Sequence, residues 1–341
     1  MDKKLVSLIT PMYNTDKYIH RLLDSVLSQD YPFIEMIVID DGSTDNSSII
    51  VKSYIHLFEE KGYVLKYVYQ ENQGQSVAIK NGLQLITGEY LAWPDSDDYY
   101  ADKTAISQMV EVLKNSPKEY KMVRSQEKYI NDETLEVQYI TGLKAKEYED
   151  STLFYDCLYA MNGYYFAPGA YMVDVTALYE TTGFDIYTDK NAGQNWQLML
   201  PVLYKYRCRT IKKPLYNVVI RLSSHSRGQY TGYDATETKY KSYFATQLET
   251  LYRIKEIPIS EKEYHKKKLT IHYSRKLFYQ AIIEKRPDKV IEQANILRKY
   301  NDIGRSERLF STVIGTFRLR HLGFLLYKSY VKLYSIINHL R

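Results

Sequence analysis

GEYLAWPDSDDYYAD (88–102) is the stretch that decides how the rest of the chain is read. Glu89-Tyr90-Leu91-Ala92-Trp93 is a short apolar strand, and Pro94 ends it because proline brings no N–H to a ladder. Asp95, Asp97 and Asp98 follow within four residues. Carboxylates this crowded raise one another's pKa unless positive charge sits among them. Mg²⁺ or Mn²⁺ supplies such charge, takes oxygen ligands, and commonly uses one or two carboxylates with phosphate oxygens completing the shell. Two readings stand at this point. Either the turn holds a metal against a diphosphate, or it is a solvated loop whose aspartates cap the next helix.

Working outward from that turn, three strand–helix units precede it. LVSLIT (5–10) is a buried-strand pattern closed by Pro11, and Tyr13-Asn14 follow. A helix is predicted from Thr15 or Asp16, with Ile19, Leu22, Leu23, Val26 and Leu27 at helical spacing. FIEMIVI (33–39) is a second strand, with Asp40-Asp41-Gly42-Ser43 at its C-terminal end. The next helix starts around Thr44-Asp45-Asn46-Ser47, runs to about Lys61, and stops at Gly62. VLKYVY (64–69) is a third strand, and the turn Asn72-Gln73-Gly74-Gln75-Ser76 leads into a helix ending near Thr87-Gly88.

Such β-α alternation with helix-length crossovers implies an α/β fold with a mostly parallel sheet and helices on both faces. Ligands of open sheets of this kind bind outside the carboxyl ends of the strands. Three polar clusters fall on that rim: Pro11-Met12-Tyr13-Asn14, Asp40-Asp41-Gly42-Ser43 and Asp95-Ser96-Asp97-Asp98. No GxGxxG follows the first strand, which disfavours a dinucleotide cofactor, and the absence of GxxxxGK[ST] disfavours a P-loop NTPase.

VSLITPMYN (6–14), IEMIVIDDGSTDNS (34–47), NQGQSVAIKNGL (72–83) and GEYLAWPDSDDYY (88–100) together resemble the family-two glycosyltransferases. Those enzymes have the GT-A fold, a Rossmann-like sheet, and are mostly inverting and metal-dependent. The resemblance covers about the first hundred residues, and DDGSTD followed by DxDD at this separation carries it. It implies that Pro11 and Tyr13 flank a uracil-like base and that Asp40 or Asp41 accepts the base's imide N–H, a donor that suits a carboxylate. It also implies that Asp95 and Asp97 face the ribose and the metal, and that Asp98 supports the metal or the turn. Where the family often has Ala-Arg-Asn, this chain has Ala78-Ile79-Lys80-Asn81, so Lys80 is the candidate for the arginine's charge.

The second half matches the family less well. The helix after about residue 194 is commonly headed by Glu-Asp, whose Asp is the catalytic base; here the pair is Gln194-Asn195. An amide does not ionise near neutral pH, so Asn195 is not a base. The resemblance then leaves Asp189 or Asp185, just upstream, as candidate bases, with Gln194 and Asn195 orienting acceptor hydroxyls. Two alternatives are a retaining mechanism and a protein that binds sugar nucleotides without transferring sugar. His225 is a candidate metal or diphosphate contact, and Arg221 or Arg227 a phosphate partner. CLYAMNGYYFAPGAY (157–171) reads as a sugar-facing aromatic surface or an ordinary strand-turn-strand.

The chain has 341 residues, enough for two domains. We read 1–235 as a GT-A catalytic domain and 236–341 as a helical region. Two distant cysteines, Cys157 and Cys208, form no metal spacing or disulfide framework and suit a reducing compartment. No signal peptide and no span of 18 apolar residues is present. Of the net charge of +5, the stretch 305–341 holds seven Lys/Arg and one acid, so the basic character belongs to the C-terminal tail. Residues 312–340 suit either a helix lying on an anionic membrane or one packing on protein. The expected function is transfer of a sugar from a nucleotide-diphosphate sugar, most simply UDP-linked, to a carbohydrate or lipid-linked acceptor hydroxyl. The setting is cytoplasmic, with peripheral attachment to the inner face of the cell membrane, in surface polysaccharide or glycolipid synthesis. No nucleic acid partner is expected.

Overall fold

β1 (Val6–Met12), β2 (Ile34–Asp41), β3 (Val64–Gln70) and β4 (Tyr90–Ala92) form the parallel half of one sheet, in the order β3-β2-β1-β4. The computed structural model describes residues 4–141, 153–221, 232–316 and 319–339. Every residue of β1 and β2 is buried, as expected of strands covered on both faces. β1 runs on through Pro11 instead of closing there. β4 leaves β1 at the Leu8–Ala92 pair, so Pro11 lies where β1 has a strand partner on one side alone and its missing N–H is tolerated.

The sheet continues with β8 (Tyr171–Asp174), β6 (Tyr120–Asn131), β9 (Arg207–Ile220) and β5 (Tyr99–Tyr100), while β7 (Val137–Thr141) pairs with β6. Here antiparallel pairs enter: β4 with β8, β8 with β6, β6 with β7, and β9 with β5. β6 and β9 remain parallel over a long register. The sheet is therefore mixed: parallel through the half built from the β-α repeats and again between β6 and β9, antiparallel at its other pairs.

The helices α1 (Ile19–Leu27), α2 (Ser47–Ser53), α3 (Ile55–Lys61), α4 (Gln75–Leu83) and α5 (Ala105–Asn115) connect these strands. The single helix expected between β2 and β3 is two, joined at Tyr54, and Gly62 ends the second in the left-handed conformation at φ 80°. α4 packs on β1 and β2, with Ala78 against Ile37 and Ile39. α6 (Leu153–Tyr159), α7 (Val175–Thr182) and α8 (Asn195–Lys205) follow in the second half.

The tyrosines of 157–171 form no open aromatic surface: two are buried, and Tyr159 and Tyr164 are half-buried. Tyr165 and Tyr171 are buried, and the buried Arg124 guanidinium lies 4.8 Å from the Tyr165 ring centroid and 5.3 Å from that of Tyr164. Beside them the fully buried Glu127 accepts the Ala167 N–H at 3.0 Å and the Thr141 hydroxyl at 3.1 Å. Burial pushes its carboxyl up to about 7. A folded-state pKa above the unfolded value gives stability that is present at low pH and lost as pH rises towards 7. Melts of the wild type should therefore decline between about pH 5 and 7, by at most on the order of 3 kcal/mol, and Glu127→Gln should flatten that decline. Identical pH profiles for the two proteins would refute this account of Glu127.

Contacts divide the chain into two compact units, Met1–Leu222 with Thr246–Glu256, and Ser223–Ala245 with Ile257–Arg341. The second unit is helical: the start of α9 (Tyr233–Arg253), then α10 (Ile259–Ile283), α11 (Pro287–Lys299), α12 (Arg305–Gly315) and α13 (Arg320–His339). Its own core joins Tyr233, Phe278, Val290, Leu297, Phe310, Ile314 and Phe324. Among the described residues no helix is long and apolar enough to cross a membrane.

Candidate functional site

After Pro94 the chain turns back on itself, with the Asp98 N–H donating to the Asp95 carbonyl at 3.3 Å. Asp98 Oδ1 accepts the Val219 N–H of β9 at 2.8 Å, and Tyr99 and Tyr100 then pair with Asn217 and Tyr216. The acidic turn is thus strung between β4 and β9. Asp102, not the three upstream aspartates, accepts the Thr104 N–H before α5, at 2.8 Å. The helix-capping reading of Asp95, Asp97 and Asp98 accordingly finds no support in this geometry.

One oxygen from each of Asp95, Asp97 and Asp98 lies within 4.8 Å of the others. Burial, reinforced by Asp97, pushes Asp95 up to about 7, against the pull of Gln194, Arg221 and Gln75. Burial and the charges of Asp97 and Asp95 hold Asp98 well above the usual carboxylate range, while the Val219 N–H opposes them. Three hard oxygen donors this close together fit a small divalent cation. Gln75 and Gln194 donate to Asp95 Oδ1 at 3.1 and 3.3 Å. Asp97 pairs with the Arg221 guanidinium, which lies 4.7 Å from the Tyr18 ring centroid. Tyr18 in turn donates to Asp132 at 2.9 Å, as does Arg21 at 3.0 Å.

The two other polar clusters meet the same rim. Asp40 accepts the Ser43 N–H at 2.8 Å and the Tyr67 hydroxyl at 2.6 Å. Asp41 accepts from Gln70, the Gln73 N–H and the Gly74 N–H at 2.7, 2.8 and 2.9 Å, so its carboxylate already fixes the 72–74 turn. Asp40 keeps more lone-pair capacity for a ligand donor. Pro11 is buried in β1, whereas Tyr13 is 45% exposed. The loop carrying Tyr13 is laced to the Asp-Gly-Ser turn: Asn14 N–H to Ser43 Oγ at 3.0 Å, Thr44 N–H to Asn14 Oδ1 at 2.8 Å, and Thr15 N–H to Ser47 Oγ at 2.9 Å.

The segment before α8 is fastened to the start of α4. Ser76 Oγ donates to the Asp189 carbonyl at 2.9 Å and accepts the Asp189 N–H at 3.1 Å. Gly74 has φ +95°, and a Cβ there would stand 2.7 Å from the Lys190 carbonyl oxygen, so only glycine fits both the turn and the approach. The Asp189 side chain is exposed, its Oδ1 accepting the Asn191 N–H at 3.0 Å. Asp185 pairs with Lys80 at 2.7 Å, and that ammonium holds its carboxyl below the ordinary value. The pairing occupies Lys80 as well, the candidate for the charge of the family's arginine.

Gln194 is buried with its amide at Asp95, as a site residue should be. Asn195 is engaged elsewhere: its Oδ1 accepts the Trp93 indole N–H at 3.0 Å and its Nδ2 donates to the Phe166 carbonyl at 2.8 Å. It therefore ties α8 to the strand that delivers the acidic turn. His225 lies outside the described residues. Sequence reading missed Gln75, Tyr18 and Tyr67; the position of Gln75 in the Gly-containing turn 72–76 was the one available signal.

Residues 7–172 match the model of glycosyl transferase family 2. The chain carries a family 2 glycosyltransferase domain. Among curated relatives of this family 2 domain, glycosyltransferase GlyA of Streptococcus pneumoniae is 40% identical over 94 residues, 28% of this chain and 13% of GlyA. TuaG of Bacillus subtilis, named as a glycosyltransferase of teichuronic acid biosynthesis, is 43% identical over 97 residues, 28% of this chain and 37% of TuaG. The chain thus spans well under half the length of either relative. The crystal structure of S. aureus TarS residues 1–349 in complex with UDP-GlcNAc superposes with a TM-score of 0.62 at 16% identity, covering 95% of this chain and 92% of that one. This likeness is one of fold: the GT-A architecture.

Proposed function

We propose that the protein transfers a sugar from a nucleotide-diphosphate sugar, UDP-linked, to an acceptor hydroxyl with inversion at the anomeric carbon. The observation that carries this reading is the convergence of three carboxylate oxygens within 4.8 Å at the rim that also bears Tyr13 and Asp40. Asp95, Asp97 and Asp98 would hold Mg²⁺ or Mn²⁺, which neutralises charge on a leaving diphosphate. Tyr13 stacks on the base and Asp40 accepts its imide N–H. Gln194 and Gln75 fix the Asp95 carboxylate, and Asp189 takes the acceptor's proton. The UDP-GlcNAc bound by TarS, and the naming of TuaG for teichuronic acid synthesis, support a UDP donor and a cell-surface polymer or lipid-linked acceptor. Thermal shift of the purified protein against nucleotide sugars, with and without Mn²⁺, should single out one donor. Release of free UDP together with an acceptor-dependent product then establishes transfer.

The engagement of Asn195 by Trp93 and Phe166 supports a second reading, a sugar-nucleotide-binding partner without transfer. Donor binding with no acceptor-dependent release of UDP would select it.

A lipid-linked acceptor gives the second unit a task. Leu322, Leu325, Leu326 and Val331 of α13 are exposed, in a tail with seven Lys/Arg and one acid. We assign this helix to the cytoplasmic face of an anionic membrane. The full chain should pellet with anionic liposomes and a variant ending at Tyr300 should not; equal pelleting would refute the assignment.

A further inference from the structure

We propose that Arg221 is a resident counter-charge, held on Asp97 until a divalent cation claims that carboxylate, and that the freed guanidinium then binds the nucleotide's diphosphate. The proposal rests on the metal reading of the acidic turn given above.

Arg221 follows directly on β9, whose Val219 N–H anchors Asp98 at 2.8 Å. The guanidinium and the acidic turn therefore share one backbone mooring, and the stem keeps the charge beside the triad wherever its head points. The two partners are largely enclosed, with side-chain exposures of 18% for Arg221 and 19% for Asp97. Yet the arginine is only partly satisfied where it rests. Its buried Nε has no hydrogen-bond partner among the described residues. A buried N–H left unmade costs free energy, so this seat is not the best one a guanidinium could have. Its guanidinium carbon lies over Tyr18, 4.7 Å from the ring centroid, a cation–π contact that uses none of the N–H groups an oxyanion would take.

A divalent ion bound through all three aspartates cannot share Asp97 with a guanidinium without strong like-charge repulsion. Displacement resolves that conflict, and the diphosphate brought by a donor nucleotide offers the forked N–H groups a bidentate partner. Metal and nucleotide then assist each other through one side chain: each removes a reason for the arginine to oppose the other. Arg21, whose partner is Asp132 and not Asp97, is a nearby positive charge without this role.

Calorimetric titration with MnCl₂, with and without UDP, tests the exchange. Arg221→Met should bind Mn²⁺ alone about tenfold more tightly than the wild type, while the tightening of Mn²⁺ by UDP falls about tenfold. Arg221→Gln carries the same expectation and serves should Arg221→Met fail to fold. Arg21→Met should change Mn²⁺ affinity by no more than about twofold. Unchanged or weaker Mn²⁺ binding in both Arg221 variants would overturn the proposal. So would equal tightening with and without UDP, because that pattern is simple repulsion from an arginine that never leaves Asp97. No Mn²⁺ binding by the wild type, or unaltered binding by Asp97→Asn, would instead sink the metal reading, and the exchange with it.

Discussion

Asp97→Ala is expected to remove the Mn²⁺-dependent share of UDP binding, weakening it about 100-fold or more, because it deletes one direct oxygen ligand from a site with three. The variant should keep the fold. Asp98, not Asp97, anchors the turn to β9, and Asp95 is the carboxylate gripped by Gln75 and Gln194. Asp97 touches Arg221 instead, so its removal takes away a ligand and an ion pair and leaves the scaffold bonds in place. Binding measured by calorimetry with and without Mn²⁺ checks the prediction. Equal UDP affinity and an equal Mn²⁺ response in wild type and variant would reduce the acidic turn to a brace between two strands. Asp98→Ala, by contrast, should lose stability as well as metal, since it leaves the buried Val219 N–H unmet.

The second large effect concerns proton removal. Asp189→Asn should keep UDP-sugar affinity within a few-fold and lose about 10²–10⁴-fold in kcat, the usual worth of a positioned general base. The asparagine can still accept the Asn191 N–H through its Oδ1, so the turn survives and the loss reports chemistry. Asp185 is the weaker candidate: its bond to Lys80 holds the carboxyl low, and a carboxylate stabilised in its charged form is a poor proton acceptor. Asp185→Asn should accordingly change kcat by no more than a few-fold. Full activity in Asp189→Asn would remove it as the base. Full activity in both variants, with a product of retained anomeric configuration, would point to a leaving phosphate that takes the proton itself.

The first hundred residues were legible because each buried strand there ends in its own polar cluster, and the crossover helices fix which clusters share a rim. Asp40, Asp41 and the Asp95–Asp98 turn could be placed together before any coordinates. Their division of labour could not. Asp40 and Asp41 are neighbours in sequence, yet Asp41 spends its oxygens on the Gln73 and Gly74 N–H groups, a pairing that only tertiary structure creates. The Arg221–Asp97 pair spans 124 residues, and no local pattern marks so distant a contact. Lys80 and Asp185 were each read as free groups at a site because sequence does not reveal that they neutralise each other. The tyrosines of 157–171 left two readings open for a related reason: their rings suit a sugar surface and a buried guanidinium equally well, and Arg124 lies on β6, far upstream in sequence. β5, at two residues, is too short to give any periodic signal.

The mooring of Asp98 to β9 bears on how this chain can be cut and rejoined. The stretch matching the family ends at residue 172, but the strand that pins the acidic turn runs from Arg207 to Ile220. A chimera that joins residues 1–172 to another transferase's second half would hand Asp98 a foreign strand. The recombinant would present all three aspartates in its sequence while relying on a foreign strand to place the backbone N–H that holds Asp98. Crossovers meant to transplant donor specificity between such enzymes should therefore fall after Arg221, carrying the late strand along with the early turn it fastens.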